Sequence, residues 1–306
     1  MALGEFELIY RYFSSHGRGD AVALGVGDDA ALIDLRPGEQ LVTSVDTLVE
    51  GRHFLESAFP EDIGFRAVAT AASDLAAMGA RPLGMTLALT LPEPEDLWLH
   101  TFSEGVARAA RELSLPLVGG DTTRGPLTVT VQVLGGVVAG TALLRSGAVP
   151  GDQLCVSGTL GDAAAGLAVQ TGRWSGSEDA ADYLETRFLR PQPRLALGMA
   201  LVDKATACID VSDGLLADAQ HLAAASGVAF EIDSTLLPRS PALQSLPDID
   251  QQLRWALTGG DDYELLFTLP AGVSLPAGTS VIGCVRTGQG VTGDFEASET
   301  AGFQHF

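Results

Sequence analysis

The stretch GVGDDAAL, residues 25–32, sets two adjacent carboxylates, Asp28 and Asp29, among small residues of the kind that let a backbone close around an anion. Acids recur in similar settings: Asp46 in TSVDT, Asp74 in AASDLAAMG, Asp121 in VGGDTTRG, Asp210 and Asp213 in IDVSDG, and Asp261 and Asp262 in GGDDYE. Taken singly, a Gly-Asp pair is an ordinary turn, because both residues favour turn backbone for local reasons. GVGDDA also fits the degenerate dinucleotide pattern G-x-G-x-x-G/A, but two carboxylates in the cradling turn would repel a pyrophosphate directly. Asp74 shifts the balance, because its segment AVATAASDLAAM is apolar on nearly every face, and a buried carboxylate is costly without a partner. A buried arginine or an N-cap contact would serve. With so many acids and a single lysine, Lys204, divalent cations serve better. Oxygen-only ligand sets without Cys or clustered His select hard ions, Mg²⁺ first. The spacing of Asp210, Ser212 and Asp213 does not follow a calcium EF-hand. On this reading the acids hold the metal that binds phosphate, and the glycines let a polyphosphate approach. Arg145 in LLRSGA and Arg124 in GGDTTRG are the bases best placed to touch phosphate directly, or else to pair with surface acids.

These residues need elements to position them. GEFELIYRYF has helical spacing, LVTSV at 41–45 reads as a strand, and EDIGFRAVATAASDLAAMGA at 61–80 reads as a long helix stopped by Gly79. GMTLALTL is strand-like, PEDLWLHTFSEGVARAARELS is an amphipathic helix, and LPLVGG and LTVTVQVLGGVV are strands. The Gly/Pro-containing stretch at 143–154 interrupts this alternation and marks a boundary between domains 1–147 and 148–306. Beyond it QLCVSG, ACIDVS, VAFEI, YELLFTL and SVIGCV read as strands, with helices at LGDAAAGLAVQ, RLALGMALVDKA and GLLADAQHLAAASG. Two α/β domains are expected, in an α/β (α+β) class.

Composition narrows the partners. The 306 residues carry 39 acids against 18 bases, a formal net charge of −21 that repels nucleic acid and anionic membrane surfaces. The P-loop pattern is absent, since Lys204 is not preceded by glycine. Three scattered cysteines, Cys155, Cys208 and Cys284, indicate neither a disulfide framework nor a zinc site and point to a reducing cytoplasm. No leader pattern opens the chain and no run reaches the ~18 apolar residues of a spanning helix, so an unprocessed soluble protein is expected.

The ordered set GEFELI, GVGDDAAL, VDTLVEGRHF, SDLAAMGARP, GGDTTRG, RSGAVPGD, GTLGDAAAGL, IDVSDGL and GGDDYEL resembles the thiamine-monophosphate kinase family, from Glu5 to about Phe303. Its superfamily is shared with aminoimidazole ribonucleotide synthetase. The resemblance implies a two-domain fold whose N-terminal sheet pairs across a homodimer, with nucleotide between the domains. It implies transfer of the γ-phosphoryl group of ATP to thiamine phosphate. By motif position, Asp29, Ser44, Val45, Asp46, Asp74, Asp121, Asp210 and Asp213 would hold several Mg²⁺ ions; Gly120, Asp121, Arg145 and Ser212 would touch ATP; and His53, Asp261 and Phe303 would line the thiamine phosphate site. Val45 would bind metal only through its backbone carbonyl, and Asp261 is one methylene shorter than the glutamate common at its position. Selenophosphate synthetase and the hydrogenase maturation dehydratase are disfavoured, because no Cys lies near the N-terminal glycines and AGFQHF ends without one.

The chemistry suits such residues. The acceptor is already an anion and needs no protein base; two anions must be brought in line, a task for metal ions and positioning rather than for a side-chain nucleophile. A metal-dependent hydrolase and a noncatalytic Mg-nucleotide module are the rival readings of the same acids.

Overall fold

The computed structural model describes residues 5–295; Phe303 lies outside them. The chain divides into two units, one taking residues up to Leu75 together with Ala80–Gly140, the other Ala76–Gly79 and the residues from Thr141 on.

The first unit contains α1 (Glu5–Tyr12), β1 (Val22–Leu24), β2 (Leu32–Ile33), β3 (Glu39–Val49), α2 (Pro60–Ala77), β4 (Arg81–Leu91), α3 (Asp96–Glu112), β5 (Leu117–Arg124) and β6 (Thr128–Val138), the last two residues of α2 falling with the second unit. β1 and β2 form a small antiparallel pair. The main sheet has the order β3-β6-β4-β5, with β4 and β5 parallel and the other neighbours antiparallel. Strand alternation decides what each face does. Val129, Val131 and Val133 of β6 and Met85, Leu87 and Leu89 of β4 are buried on one face, where Ser44 and Asp46 of β3 also lie by register. Leu41, Val45 and Val49 of β3 and Val138 of β6 project from the other face and are exposed.

α2 is buried along almost its whole length, as its all-round apolar sequence requires. It packs closely on α3 at two glycines: a Cβ on Gly105 would lie 1.9 Å from the Glu61 carbonyl oxygen, and one on Gly64 would lie 2.4 Å from that of Phe102. Gly79 follows the helix at φ +66°, the left-handed conformation expected of a terminating glycine.

The second unit contains β7 (Gln153–Ser157), α4 (Asp162–Gln170), α5 (Glu178–Leu189), α6 (Leu195–Leu201), β8 (Ala207–Asp210), α7 (Leu215–Ser226), β9 (Ala229–Ile232), α8 (Pro241–Gln244), α9 (Ile249–Thr258), β10 (Leu265–Leu269), β11 (Thr279–Arg286) and β12 (Gly290–Gly293). Its sheet has the order β12-β9-β11-β7-β10-β8, antiparallel except for β12 with β9. The core joins Leu154, Val156, Ile209, Phe230 and Leu266 of the sheet to Leu215, Ala219 and Leu222 of α7. Both sheets mix with helices in the α/β (α+β) manner, and among the described residues no helix is long and apolar enough to cross a membrane.

Candidate active site

In the first unit the glycine-rich segments converge. Asp28 and Asp29 line a cavity of about 730 Å³ with Gly119, Gly120 and Asp121, while Ile9 and Phe13 supply an apolar wall. Asp121 sits inside strand β5 rather than in a turn. Gly120 is glycine for a packing reason as well: a Cβ there would lie 1.9 Å from the carbonyl oxygen of Leu87 on the paired strand.

A second group lies where β3 meets α2. Ser44 donates its hydroxyl to the Asp74 carboxylate at 2.5 Å. Burial, and then the charge of Asp74, push the Asp46 carboxyl up to about 6. Among the described residues the hydrogen-bond partner of Asp74 is thus the Ser44 hydroxyl, not an arginine or a cap. Val45, between Ser44 and Asp46, turns its side chain to the opposite, exposed face. His53 is fixed in the turn after β3: its Nδ1 accepts the Val49 N–H at 3.0 Å, and its own N–H donates to the Val49 carbonyl. Arg124 donates its Nε–H to the Pro92 carbonyl at 3.1 Å.

In the second unit the candidate residues occupy two loops brought together by the β8–β10 pairing. Asp210 ends β8 and is buried; Ser212 and Asp213 follow in the loop to α7. Asp261 donates its N–H to the Ser212 carbonyl at 2.9 Å, and Tyr263 donates its N–H to that of Val211, also at 2.9 Å. Both residues have positive φ, +70° and +50°, in a conformation that costs free energy for a side chain other than glycine. The Tyr263 hydroxyl donates to the Asp261 carboxylate at 3.1 Å. Arg145 is exposed; its carbonyl accepts the Ser226 hydroxyl.

Beneath these loops lies a buried polar network of which the sequence reading singles out only Asp262. Glu264 is fully buried and accepts from the Ser157 hydroxyl at 2.5 Å, from Arg187 at 2.9 Å and from two nitrogens of Arg194. Gly158 leaves room for it, since a Cβ there would lie 2.1 Å from a Glu264 carboxylate oxygen. Asp262 accepts the N–H groups of Gly161 and Ala163 at the start of α4, at 2.6 and 3.0 Å, yet burial outweighs them and pushes its carboxyl up to about 8. Asp218, in the first turn of α7, is also missed. Its carboxyl is pushed up to about 7 by burial and then by Asp210, against two backbone N–H bonds. The visible signal is its place in SDGLLAD, where an acid one turn into a helix reaches back to the residues before it.

Among the described residues no three His, Cys, Asp or Glu side chains converge as a preformed metal-binding group. The carboxylates instead stand as the Ser44–Asp46–Asp74 group, the acids of the first unit's cavity, and the acids around the β8–α7 loop.

Comparison with known proteins accords with this architecture. The family model described as AIR synthase related protein, N-terminal domain, matches residues 27–137, and the one described as AIR synthase related protein, C-terminal domain, matches residues 149–283. A thiamine-monophosphate kinase of Salmonella typhimurium is 50% identical over 273 residues, covering 88% of this chain and 84% of that protein. The crystal structure of a thiamine-monophosphate kinase from Stenotrophomonas maltophilia is similar with a TM-score of 0.84 and 46% identity, over 91% of this chain and 92% of that one. The structure of AaThiL complexed with AMPPCP and TMP is similar with a TM-score of 0.83 and 35% identity, over 100% of this chain and 99% of that one. Hydrogenase maturation protein HypE from E. coli, at 23% identity and a TM-score of 0.75, shares the fold. With both domains matched and half the residues identical across most of its length, this chain belongs to the thiamine-monophosphate kinase family of AIR synthase related proteins.

Proposed function

We propose that the chain transfers the γ-phosphoryl group of ATP to thiamine phosphate, giving thiamine diphosphate and ADP, by direct in-line transfer assisted by several Mg²⁺ ions. The observation that carries the reading is the Ser44–Asp46–Asp74 group, in which Ser44 donates to Asp74 and Asp46 lies on the same face of β3 as Ser44, within reach of the Asp74 charge. Its donors are all oxygen, and Asp46, raised by burial and by a like charge, is a carboxylate that a hard cation would stabilise. The group fits Mg²⁺. AMPPCP and TMP bound to AaThiL support the two substrates.

In the first unit Asp29, Ser44, Asp46, Asp74, Asp121 and the carbonyl of Val45 hold metal, and in the second Asp210 and Asp213 do so. Bound Mg²⁺ supplies charge neutralisation to the two phosphates and to the group in transfer. Gly120, Asp121, Arg145 and Ser212 bind ATP, the glycine by letting backbone approach the phosphates. His53 and Asp261 contact thiamine phosphate, with Asp261 oriented by the Tyr263 hydroxyl, and Phe303, outside the described residues, completes that set. No side chain takes a proton from the acceptor, which arrives ionised. His53 Nδ1 is committed to the Val49 N–H, which favours a binding role over a nucleophilic one.

We further propose a homodimer formed through the exposed face of the first unit's sheet, which carries Leu41, Val45, Val49 and Val138. A cytoplasmic setting fits the buried free thiols of Cys155 and Cys208. ADP formation measured with and without thiamine phosphate, with the product identified by thiochrome fluorescence, tests the activity. Phosphate release without thiamine phosphate would support the hydrolase instead, and nucleotide binding without turnover the noncatalytic module.

A further inference from the structure

The backbone of the β8–α7 loop is gripped from two sides. On one side, the Val211 and Ser212 carbonyls accept the N–H groups of Tyr263 and Asp261, both at 2.9 Å, and the Val211 N–H donates to the Glu264 carbonyl at 2.8 Å. On the other, a single oxygen of Asp218, Oδ2, accepts both the Ser212 N–H and the Asp213 N–H, each at 3.0 Å. Asp218 is only 3% exposed, so no water substitutes readily for it. The surroundings leave the loop little freedom to move. A Cβ on Gly260 would lie 2.5 Å from the Ser212 carbonyl oxygen, and one on Gly214 would lie 2.6 Å from that of Thr258.

We infer that Asp218 is a positioning residue, which fixes the Ser212–Asp213 backbone through one acceptor atom and thereby sets where the Ser212 and Asp213 side chains stand relative to Asp210. The inference rests on the proposed role of this loop in binding nucleotide and metal, and adds to it a residue that touches neither. The distinction from a metal ligand is chemical. A positioning acceptor needs an oxygen at Oδ2, which asparagine also offers; a ligand to a cation needs the charge. Alanine removes the acceptor and leaves two backbone N–H groups without it.

The experiment compares wild type, Asp218→Asn and Asp218→Ala in two measurements: calorimetric binding of AMPPCP in the presence of Mg²⁺, and hydrogen exchange of the Ser212 and Asp213 amides. In Asp218→Ala, binding is expected to weaken about 10- to 100-fold, the range for loss of a supporting hydrogen bond behind a metal ligand, and the two amides to exchange at least about tenfold faster. In Asp218→Asn both quantities are expected to stay within about threefold of wild type, a change well below the tenfold that 1.4 kcal/mol represents. Asp218→Asn binding as weakly as Asp218→Ala would overturn the inference, since charge would then be what matters. Unchanged exchange of both amides in Asp218→Ala would overturn it equally. Should the alanine variant not fold, protection of these amides in wild type and its retention in Asp218→Asn decide the matter in favour, and its loss in Asp218→Asn decides against. If wild type itself does not bind AMPPCP with Mg²⁺, the proposed function falls, while the exchange data still decide whether Asp218 holds the loop.

Discussion

The Ser44 hydroxyl on β3 donates to the Asp74 carboxylate on α2 at 2.5 Å, bridging the central helix of the first unit to the edge strand of its sheet. Asp74→Asn keeps the shape and the acceptor oxygen but removes a charge. Turnover is expected to fall roughly 10²- to 10³-fold, the scale for deleting one electrostatic partner of a transition state. The thermal midpoint should hold or rise, because a carboxylate that repels Asp46 is gone. Near-normal activity of the variant at limiting Mg²⁺ would make Asp74 purely structural.

Direct transfer has a stereochemical signature. With ATP made chiral at the γ-phosphorus, the product should show inversion, and no phosphorylated protein should form when thiamine phosphate is withheld. Net retention, or a trapped phosphoenzyme, would point to a covalent intermediate.

Glu264 is the hub of the second unit's buried ion network, and Arg187 has it as an ion-pair partner at 2.9 Å. Glu264→Ala leaves that guanidinium with the more distant Asp162, at 3.7 Å, and is expected to cost about 3 kcal/mol in urea unfolding. Glu264→Gln keeps an acceptor for Ser157 and should cost less. Equal losses for the two variants would mean that the arginines find other partners.

Asp262 makes stability depend on pH in the direction opposite to a paired carboxylate. Burial pushes its carboxyl up to about 8 in the fold, against ~3.9 in the unfolded chain. Between those values the native state holds a proton that the unfolded state has released, so stability falls as pH rises through the window and the loss is complete above about 8. Below the lower value the group contributes no slope. Denaturant midpoints measured from pH 4 to 9 should show this decline, and in Asp262→Asn it should flatten between about 7 and 8, above the range in which Asp46 and Asp218 add slopes of the same sign. A variant with the wild-type slope would exclude Asp262 as the source.

Leu41 stands 52% exposed on the open face of the first unit's sheet. If two copies meet there, Leu41→Glu places charge in the interface and should shift sedimentation at micromolar concentration from dimer to monomer without changing far-UV circular dichroism. A wild-type monomer would remove the interface from the proposal.

Legibility in the sequence followed the physics of each element. The α2 helix, the β4 and β6 strands and the terminating Gly79 were readable because a long period or an uninterrupted apolar alternation leaves few alternatives. α5, in EDAADYLETRFL, and α9, in IDQQLRWALT, are hard to read because their polar faces dilute the apolar pattern, even though α9 begins at an Asp248 cap whose carboxylate accepts the Gln251 N–H. Asp121 illustrates a second limit. A Gly-Gly-Asp sequence favours a turn locally, but pairing of β5 with β4 keeps it extended, and the close pass over the Leu87 carbonyl oxygen is what requires Gly120. The acids themselves were legible as types, since their number against one lysine is compositional. Glu264 is not, because its importance lies in the arginines it holds, which is a tertiary fact, whereas Asp218 leaves a local trace in SDGLLAD.

The bonds between the Val211–Asp213 backbone and residues 261–264 also bear on how the chain acquires its site during synthesis. The two loops are about fifty residues apart along the chain and meet only when β10 enters beside β8. A nascent chain that has emerged through Ser226 already possesses Asp210, Ser212, Asp213 and Asp218, but has nothing to accept on the carbonyl side of the loop. Closing a segment of that length is entropically costly until the strand contacts compensate. The ribosome therefore releases Asp210, Ser212 and Asp213 together with the Asp218 side of their loop's support, and only later the residues at 261–264 that hold its carbonyl side.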